Sequence, residues 1–268
     1  MTQACRDRLR MDFNALKKSS HTGQLLNFFL QDYKKDEANK KDDARKNLLD
    51  SAKQAPIAAK EVYQHAFDLF KKSLPEDCVN AQVKFKGRGV IGLGIESPLE
   101  TGLALHHTYG VPYIPGSALK GLASHFCDQV WGEKNPDYKL GGRYHMVLFG
   151  STDESGYIVF NDGWIAPESL GFCLEWDVMT VHHPKYYRSE DSPPSDYDSP
   201  TPITFLSLKN DPTDPENECT FQLLLYCDIP GDEGKKWAEL AMKLLLEALE
   251  NWGIGAKTNA GYGKMIKA

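Results

Sequence analysis

Apolar residues along this 268-residue chain change their spacing near residue 78, from a helical repeat to alternation. From Arg6 to about Leu74 they recur as one-sided clusters, Leu25, Leu26, Phe28 and Phe29 and later Val62, Phe67, Leu69 and Phe70. Such spacing buries one face of a helix and predicts a helical N-terminal region over 1–78, packed on the main domain. Its middle, DYKKDEANKKDDARKN (32–47), is charged in both signs, which predicts a solvated helix or loop without a binding role. Alternation in AQVKFKGRGVIGLG (81–94) then predicts the first strand of that main domain, over 79–268, with Val83, Phe85, Ile91 and Leu93 as strand residues. The glycines in that run predict a bend or a close backbone approach. SALKGLASHFCDQVW (117–131) has the pattern of a helix, with Ser117 placed as its N-cap and Pro115 just before it. Strand-like runs come next at 144–149, 156–165, 170–181, 201–208 and 219–228. Between them HHPKYYRSEDSPPSDYDSPTP (182–202) is too rich in Pro, Ser and Asp to be regular, and predicts an insertion. An amphipathic helix from about Asp232 to Trp252, a glycine loop and a closing strand at Tyr262–Lys267 end the chain. This order predicts an α+β fold, a ferredoxin-like (RRM-type) sandwich with insertions and a helical N-terminal extension.

Composition narrows the setting. No run approaches the ~18 apolar residues of a membrane span, and MTQACRDRLR at the start lacks the apolar stretch of a secretion signal. A soluble, cytoplasmic protein without membrane contact is expected. Six cysteines stand singly with no CxxC pair, which predicts buried, reduced thiols. No cofactor and no metal site are expected: His182 and His183 have no carboxylate or cysteine at ligand spacing. The net charge of −6 argues against a polyanionic partner at first sight. Its distribution softens the objection, because residues 1–90 carry 18 Lys and Arg against 12 Asp and Glu, and the acid is concentrated in 150–250. Residues 251–268 hold Lys257, Lys264 and Lys267 and no acid.

Gly253, Gly255, Gly261 and Gly263 crowd into GIGAKTNAGYG (253–263), so the backbone can turn tightly and bring N–H groups close to a ligand. This loop comes after a helix instead of opening one, so it lacks the positive dipole end of a nucleotide-binding loop. Anion binding there is expected to rest on exposed amides with Lys257, Thr258, Asn259 and Lys264, a pattern suited to an extended polyanion gripped at several points. The plainer reading is a helix C-cap at Gly253 and a tight approach to the last strand. PYIPGSALKG (112–121) supplies a helix N-terminus with free amides, a Ser117 hydroxyl and Lys120 in the first turn. In a ferredoxin-like sandwich both segments can line one groove, although a Pro-Gly turn capped by Ser117 explains the second as well.

At these residues, SPLETGLALHHTYGVPYIPGSALKGL (97–122) and GIGAKTNAGYGKM (253–265), the sequence resembles the paired signatures of the RAMP superfamily of CRISPR-associated proteins. With HHPKYY (182–187) and PTPITFL (200–206) it is similar, more narrowly, to backbone-capping members of type III-B effector complexes. The resemblance covers about residue 80 to the end. It implies an RRM-like fold whose glycine-rich loop contacts guide RNA, at the end of a filament that holds the guide 3′ portion. The implied partners are guide RNA, its duplex with target RNA, other RAMP subunits and a small helical subunit. Target cleavage in such complexes lies in another subunit, which implies a non-catalytic role here. Carried onto this chain, the implied RNA-binding residues are Gly116, Ser117 and Lys120, with Gly253, Gly255, Lys257, Asn259, Gly261 and Gly263.

Two other functions stay open on the residues themselves. His106 and His107 lie within the first signature, shortly before Pro112, and a histidine there can act as general base on an RNA 2′-hydroxyl, giving a metal-independent guide-processing ribonuclease. Adjacent side chains in an extended segment point opposite ways, so the pair fits phosphate hydrogen bonding or packing better than a shared catalytic site. A protein-only scaffold, its glycines serving turns alone, is the third. Tyr186 and Tyr187 suit a subunit contact, and Arg143, Tyr144 and His145 near a GG turn suggest the start of a projecting hairpin.

Overall fold

In the computed structural model, residues 21–28, 38–182, 193–198, 200–210 and 217–268 are described. Alternation in VNAQVKF builds β1 (Val79–Phe85), with Val83 and Phe85 fully buried. It pairs antiparallel along all but its last residue with β8 (Thr220–Cys227), from Val79 opposite Leu225 to Lys84 opposite Thr220. On its other edge it pairs with the short β9 (Met265–Lys267). β8 is apolar almost throughout, and its residues from Phe221 to Leu225 are all buried, as a strand covered on both faces requires. Beyond it β4 (Ile158–Phe160) and β5 (Gly163–Ile165) pair with β8 one after the other, and β5 also pairs with β3 (Tyr113–Ile114). Helix α4 (Gly116–Phe126) and helix α6 (Asp232–Asn251) cross between these strands; α6 buries Ala238, Ala241, Leu245, Ala248 and Leu249 at helical spacing. The strand order β3-β5-β8-β1-β9 with its two crossing helices is α+β and antiparallel, and compatible with a ferredoxin-like sandwich.

A second sheet joins β2 (Arg88–Gly89), β7 (Thr201–Lys209) and β6 (Leu174–Val181). β6 and β7 form a long hairpin, paired from Leu174 opposite Leu208 to Val181 opposite Thr201. The insertion expected at 182–202 is the connection of this hairpin up to residue 200, Thr201 and Pro202 belonging to β7; residues 183–192, with His183, Tyr186 and Tyr187, lie outside the described residues.

The N-terminal helices α1 (Thr22–Phe28), α2 (Ala38–Ala58) and α3 (Lys60–Lys72) are attached at two places. Tyr63 and Phe67 of α3 enter the core of the main sheet, whereas Leu25, Leu48 and Leu49 pack on Leu99 and Leu206. The helix expected from Arg6 starts outside the described residues, as does 32–37 of the charged run. Arg45, within that run, is not merely solvated. Its guanidinium donates to the carbonyls of Leu99 (2.7 Å) and Thr204 (2.8 Å), tying α2 to a loop and to β7. Arg45→Met is expected to lower stability by about 2–3 kcal/mol, because both carbonyls lose a charged donor. A urea titration reads this as a lower midpoint at unchanged slope; an unchanged midpoint would show that α2 is held without it.

Other expectations shift. The run at 144–149 is not a strand: RYHMVLF forms α5 (Arg143–Phe149), burying His145, Leu148 and Phe149 at i, i+3 and i+4. A short apolar run satisfies either period, and Gly150, at a positive φ of 76°, ends the helix. Arg143, Tyr144 and His145 therefore start no hairpin; His145 is buried with Nε2 3.0 Å from Ser124 Oγ. The first strand breaks at Lys86–Gly87, the run 156–165 divides at Asn161–Asp162, and the closing strand begins only at Met265. Past Phe126 the helix expected to Trp131 loosens into a π turn over Cys127–Trp131. Cys127, Cys173, Cys219 and Cys227 are buried free thiols, and burial pushes Cys173 up to about 12. Among the described residues no helix is long and apolar enough to cross a membrane.

A candidate nucleic-acid cleft at the glycine loop

Helix α6 ends where Gly253, at φ 80°, donates its N–H to the Ala248 carbonyl (3.1 Å), a left-handed C-terminal stop. The loop then folds onto itself and onto β2. Ile254 donates to the Gly263 carbonyl (2.9 Å), Gly263 to that of Arg88 (2.9 Å) and Ala256 to that of Val90 (2.8 Å). A Cβ at Gly255 would lie 2.3 Å from the Val90 oxygen, and one at Gly263 2.1 Å from the Ile254 oxygen, so only glycine permits this approach. Ala260, Gly261 and Tyr262 also donate within the loop. The expectation of generally exposed amides is thus corrected: most are consumed, while those of Gly255, Lys257, Thr258 and Asn259 make no hydrogen bond among the described residues.

A polar clasp fixes the loop from outside. The Tyr262 hydroxyl donates to Asp177 Oδ2 on β6 (2.5 Å), and Arg88 Nε approaches the same oxygen at 3.5 Å. Arg88 Nη1 donates to the Trp176 carbonyl and to Ser207 Oγ, both at 2.8 Å. Partial burial, the hydrogen bond to Asp177 and that carboxylate's charge push the Tyr262 phenol up to about 12, so it stays a donor at neutral pH.

Between the loop and α4 lies a cleft of about 850 Å³. Gly253, Ile254, Gly255, Thr258, Asn259 and Lys264 line one part of it; Ala118 and Leu122 of α4, with Asn251 and Trp252 at the end of α6, line the rest. Five of the residues that the sequence marks for RNA binding therefore meet in one place. Gly263 is buried within the loop fold, and Gly261 is exposed with open space around it. Lys257 adopts a left-handed backbone (φ 62°) and sets its ammonium 5.8 Å from the centre of the Phe205 ring on β7.

The first signature contributes differently from what its sequence suggests. The residue before the helix is Pro115, so Ser117 is not the cap and lies exposed in the first turn. The Gly116 N–H is not free: it donates to Asp162 Oδ1 (2.7 Å), and a Cβ at Gly116 would stand 2.2 Å from the Phe160 oxygen. Lys120 falls roughly 200° round α4 from Ala118, away from the cleft wall. His106 and His107 are not brought to the cleft either. His106 packs on Tyr109 (4.7 Å) and Trp164 (5.3 Å), and burial lowers its pKa. His107 accepts a bond from His21 Nε2 at its carbonyl (2.8 Å). Ala118, Leu122, Asn251 and Trp252 are cleft residues that the sequence reading misses. Their one sequence signal is an i, i+4 apolar pair in α4 facing an aromatic immediately before the first glycine.

The sequence profile of the RAMP superfamily matches residues 83–266. Among curated proteins the chain is 29% identical over 277 aligned positions to the CRISPR system Cmr subunit Cmr6 of Pyrococcus furiosus, covering 80% of this chain and 78% of that one. The corresponding subunit of Saccharolobus solfataricus is 23% identical over 71% of this chain and 58% of its own length. Among solved structures, a chain of the type III-B Cmr-beta complex bound to cognate target RNA superimposes with a TM-score of 0.65 over 91% of this chain and 78% of that one. At 20% identity that likeness is one of fold.

Proposed function

The chain belongs to the RAMP superfamily, and from that premise we propose that it is a non-catalytic RNA-binding subunit of a type III-B CRISPR complex, holding the 3′ part of the guide RNA and capping the backbone filament. The supporting observation is the cleft. Gly255, Thr258 and Asn259, whose amides make no hydrogen bond among the described residues, line it together with Lys264, a set that matches phosphate oxygens without reading bases. The similarity to the Cmr6 subunits supports membership of such a complex; other RAMP subunits, a small helical subunit and the guide–target duplex are the partners that this reading assigns. The net charge of −6 sets the limits of this role: the free chain repels a polyanion at long range, so retention belongs to the assembled complex. A guide-processing nuclease is disfavoured by the position of His106, whose ring is engaged by Tyr109 and Trp164 away from the cleft.

The test is Lys264→Ala in the reconstituted complex, with guide retention measured across a salt series. Loss of one phosphate contact is expected to weaken retention and reduce the log–log salt slope by about 1, largely independent of guide sequence. Unchanged retention and slope would remove the cleft from the guide path. Lys120→Ala, off the cleft wall, is expected to leave both unchanged.

A further inference from the structure

We propose that the cleft is a single-nucleotide subsite, in which one unstacked base of the bound RNA lies against Trp252, Leu122 and Ala118 while its phosphate sits at Thr258, Asn259 and Lys264. The inference rests on the RNA-binding role above and adds to it a base contact. Its ground is that the two walls of the cleft differ in chemistry. A phosphodiester gripped by amides and an ammonium has no use for an apolar wall, yet Ala118 and Leu122, one turn apart on α4, supply one with the indole of Trp252. The indole is braced by Phe126, edge-on at 5.1 Å and 75°, and by His125 at 5.1 Å and 57°. Bracing of this kind lets an aromatic ring receive a ligand without losing further side-chain freedom. The volume, about 850 Å³, falls within the roughly 300–1,000 Å³ of small-ligand sites. That is room enough for a nucleotide. Every base has a π-face, so the subsite tolerates sequence. Asn251 donates its amide nitrogen to the Glu247 carbonyl (2.8 Å), which leaves its side-chain oxygen as an acceptor at the cleft.

The experiment uses the assembled complex loaded with guides that carry 5-iodouridine at successive single positions, photocrosslinked and mapped by mass spectrometry. A crosslink to Trp252 from one guide position is expected. Trp252→Leu is expected to weaken guide retention roughly tenfold with little change in salt slope, and Trp252→Phe to restore most of it. Thermal melting of each variant separates lost stacking from lost folding, and the wild-type crosslink stands even where Trp252→Leu unfolds. Crosslinks confined to residues 253–264, from whatever position, would overturn the base subsite while leaving the RNA-binding role intact. The absence of any crosslink to the cleft, together with an inert Lys264→Ala, would overturn both.

Discussion

Gly263→Ala is expected to destabilise the protein by about 3–5 kcal/mol, a lowering of the melting temperature by roughly 6–12 °C for a chain of this size. Two effects add. At φ 78° an alanine enters the left-handed region, at about 1–2 kcal/mol. Its Cβ would also stand 2.1 Å from the Ile254 oxygen and 3.0 Å from the Ile254 carbonyl carbon and nitrogen. Relief requires moving the Ile254 peptide, whose N–H bonds the Gly263 carbonyl, and then the Gly263 N–H bond to Arg88. The natural control is Gly261→Ala. That glycine has a similar φ of 88° but nothing within 4 Å of a new Cβ, so it should lose only the conformational part, about 1 kcal/mol. Differential scanning calorimetry of the pair isolates the contact from the dihedral. Equal melting temperatures would mean that the Ile254 peptide yields freely and that the loop is not a fixed cradle. Guide retention by the assembled complex should fall in the same order, since the amides of Gly255, Thr258 and Asn259 hold their positions only while the loop keeps its closure.

That contrast also marks what a sequence can carry. The crowding of glycines at 253–263 is legible because a helical repeat ends abruptly at Trp252 and positive φ is a local property. Which glycines touch a neighbour is not legible, because Val90 and Ile254 approach Gly255 and Gly263 only once the loop has closed on itself and on the chain after β2. The same division runs through the cleft. Lys120 draws notice in the sequence as the cation of the first signature, yet the periodicity of α4 turns Ala118 and Leu122 toward the loop instead. Gly116 promises a free amide in the sequence; its partner Asp162 lies 46 residues away on a turn between two strands that read as one run. Arg45 sits in a run of charge that composition alone assigns to solvent. Only the folded positions of Leu99 and Thr204 make it an internal tie. The long β6–β7 pairing is hidden in turn, because register across a long insertion leaves no local trace.

The second large effect concerns the N-terminal helices, which we propose are an extension that folds with the main domain. Tyr63 of α3 stacks on Trp164 at 5.7 Å and 18°, meets Tyr109 edge-on at 5.7 Å and donates its hydroxyl to the Ile165 carbonyl on β5 (2.8 Å). Its side chain is 1% exposed, and burial drives the phenol far above its ordinary range. Tyr63→Ala is expected to cost about 3–5 kcal/mol, the loss of a buried aromatic plus the cavity left behind. Tyr63→Phe keeps the stack and leaves the Ile165 oxygen unpaired, about 1–2 kcal/mol. The sign with pH comes from the raised pKa. The unfolded phenol releases its proton near pH 10 and the folded one does not, so this contribution is full below that pH and falls as pH rises beyond it. The deficit of Tyr63→Phe relative to wild type should therefore shrink above about pH 10. Urea unfolding, monitored by tryptophan fluorescence and by helical circular dichroism, decides the larger question. If α3 shares one cooperative unit with β5, both probes move together to a lower midpoint in Tyr63→Ala. If the helices form a separate unit, the circular dichroism transition splits and the fluorescence midpoint stays where it is in wild type, and the extension would then be a module that Trp164 merely touches.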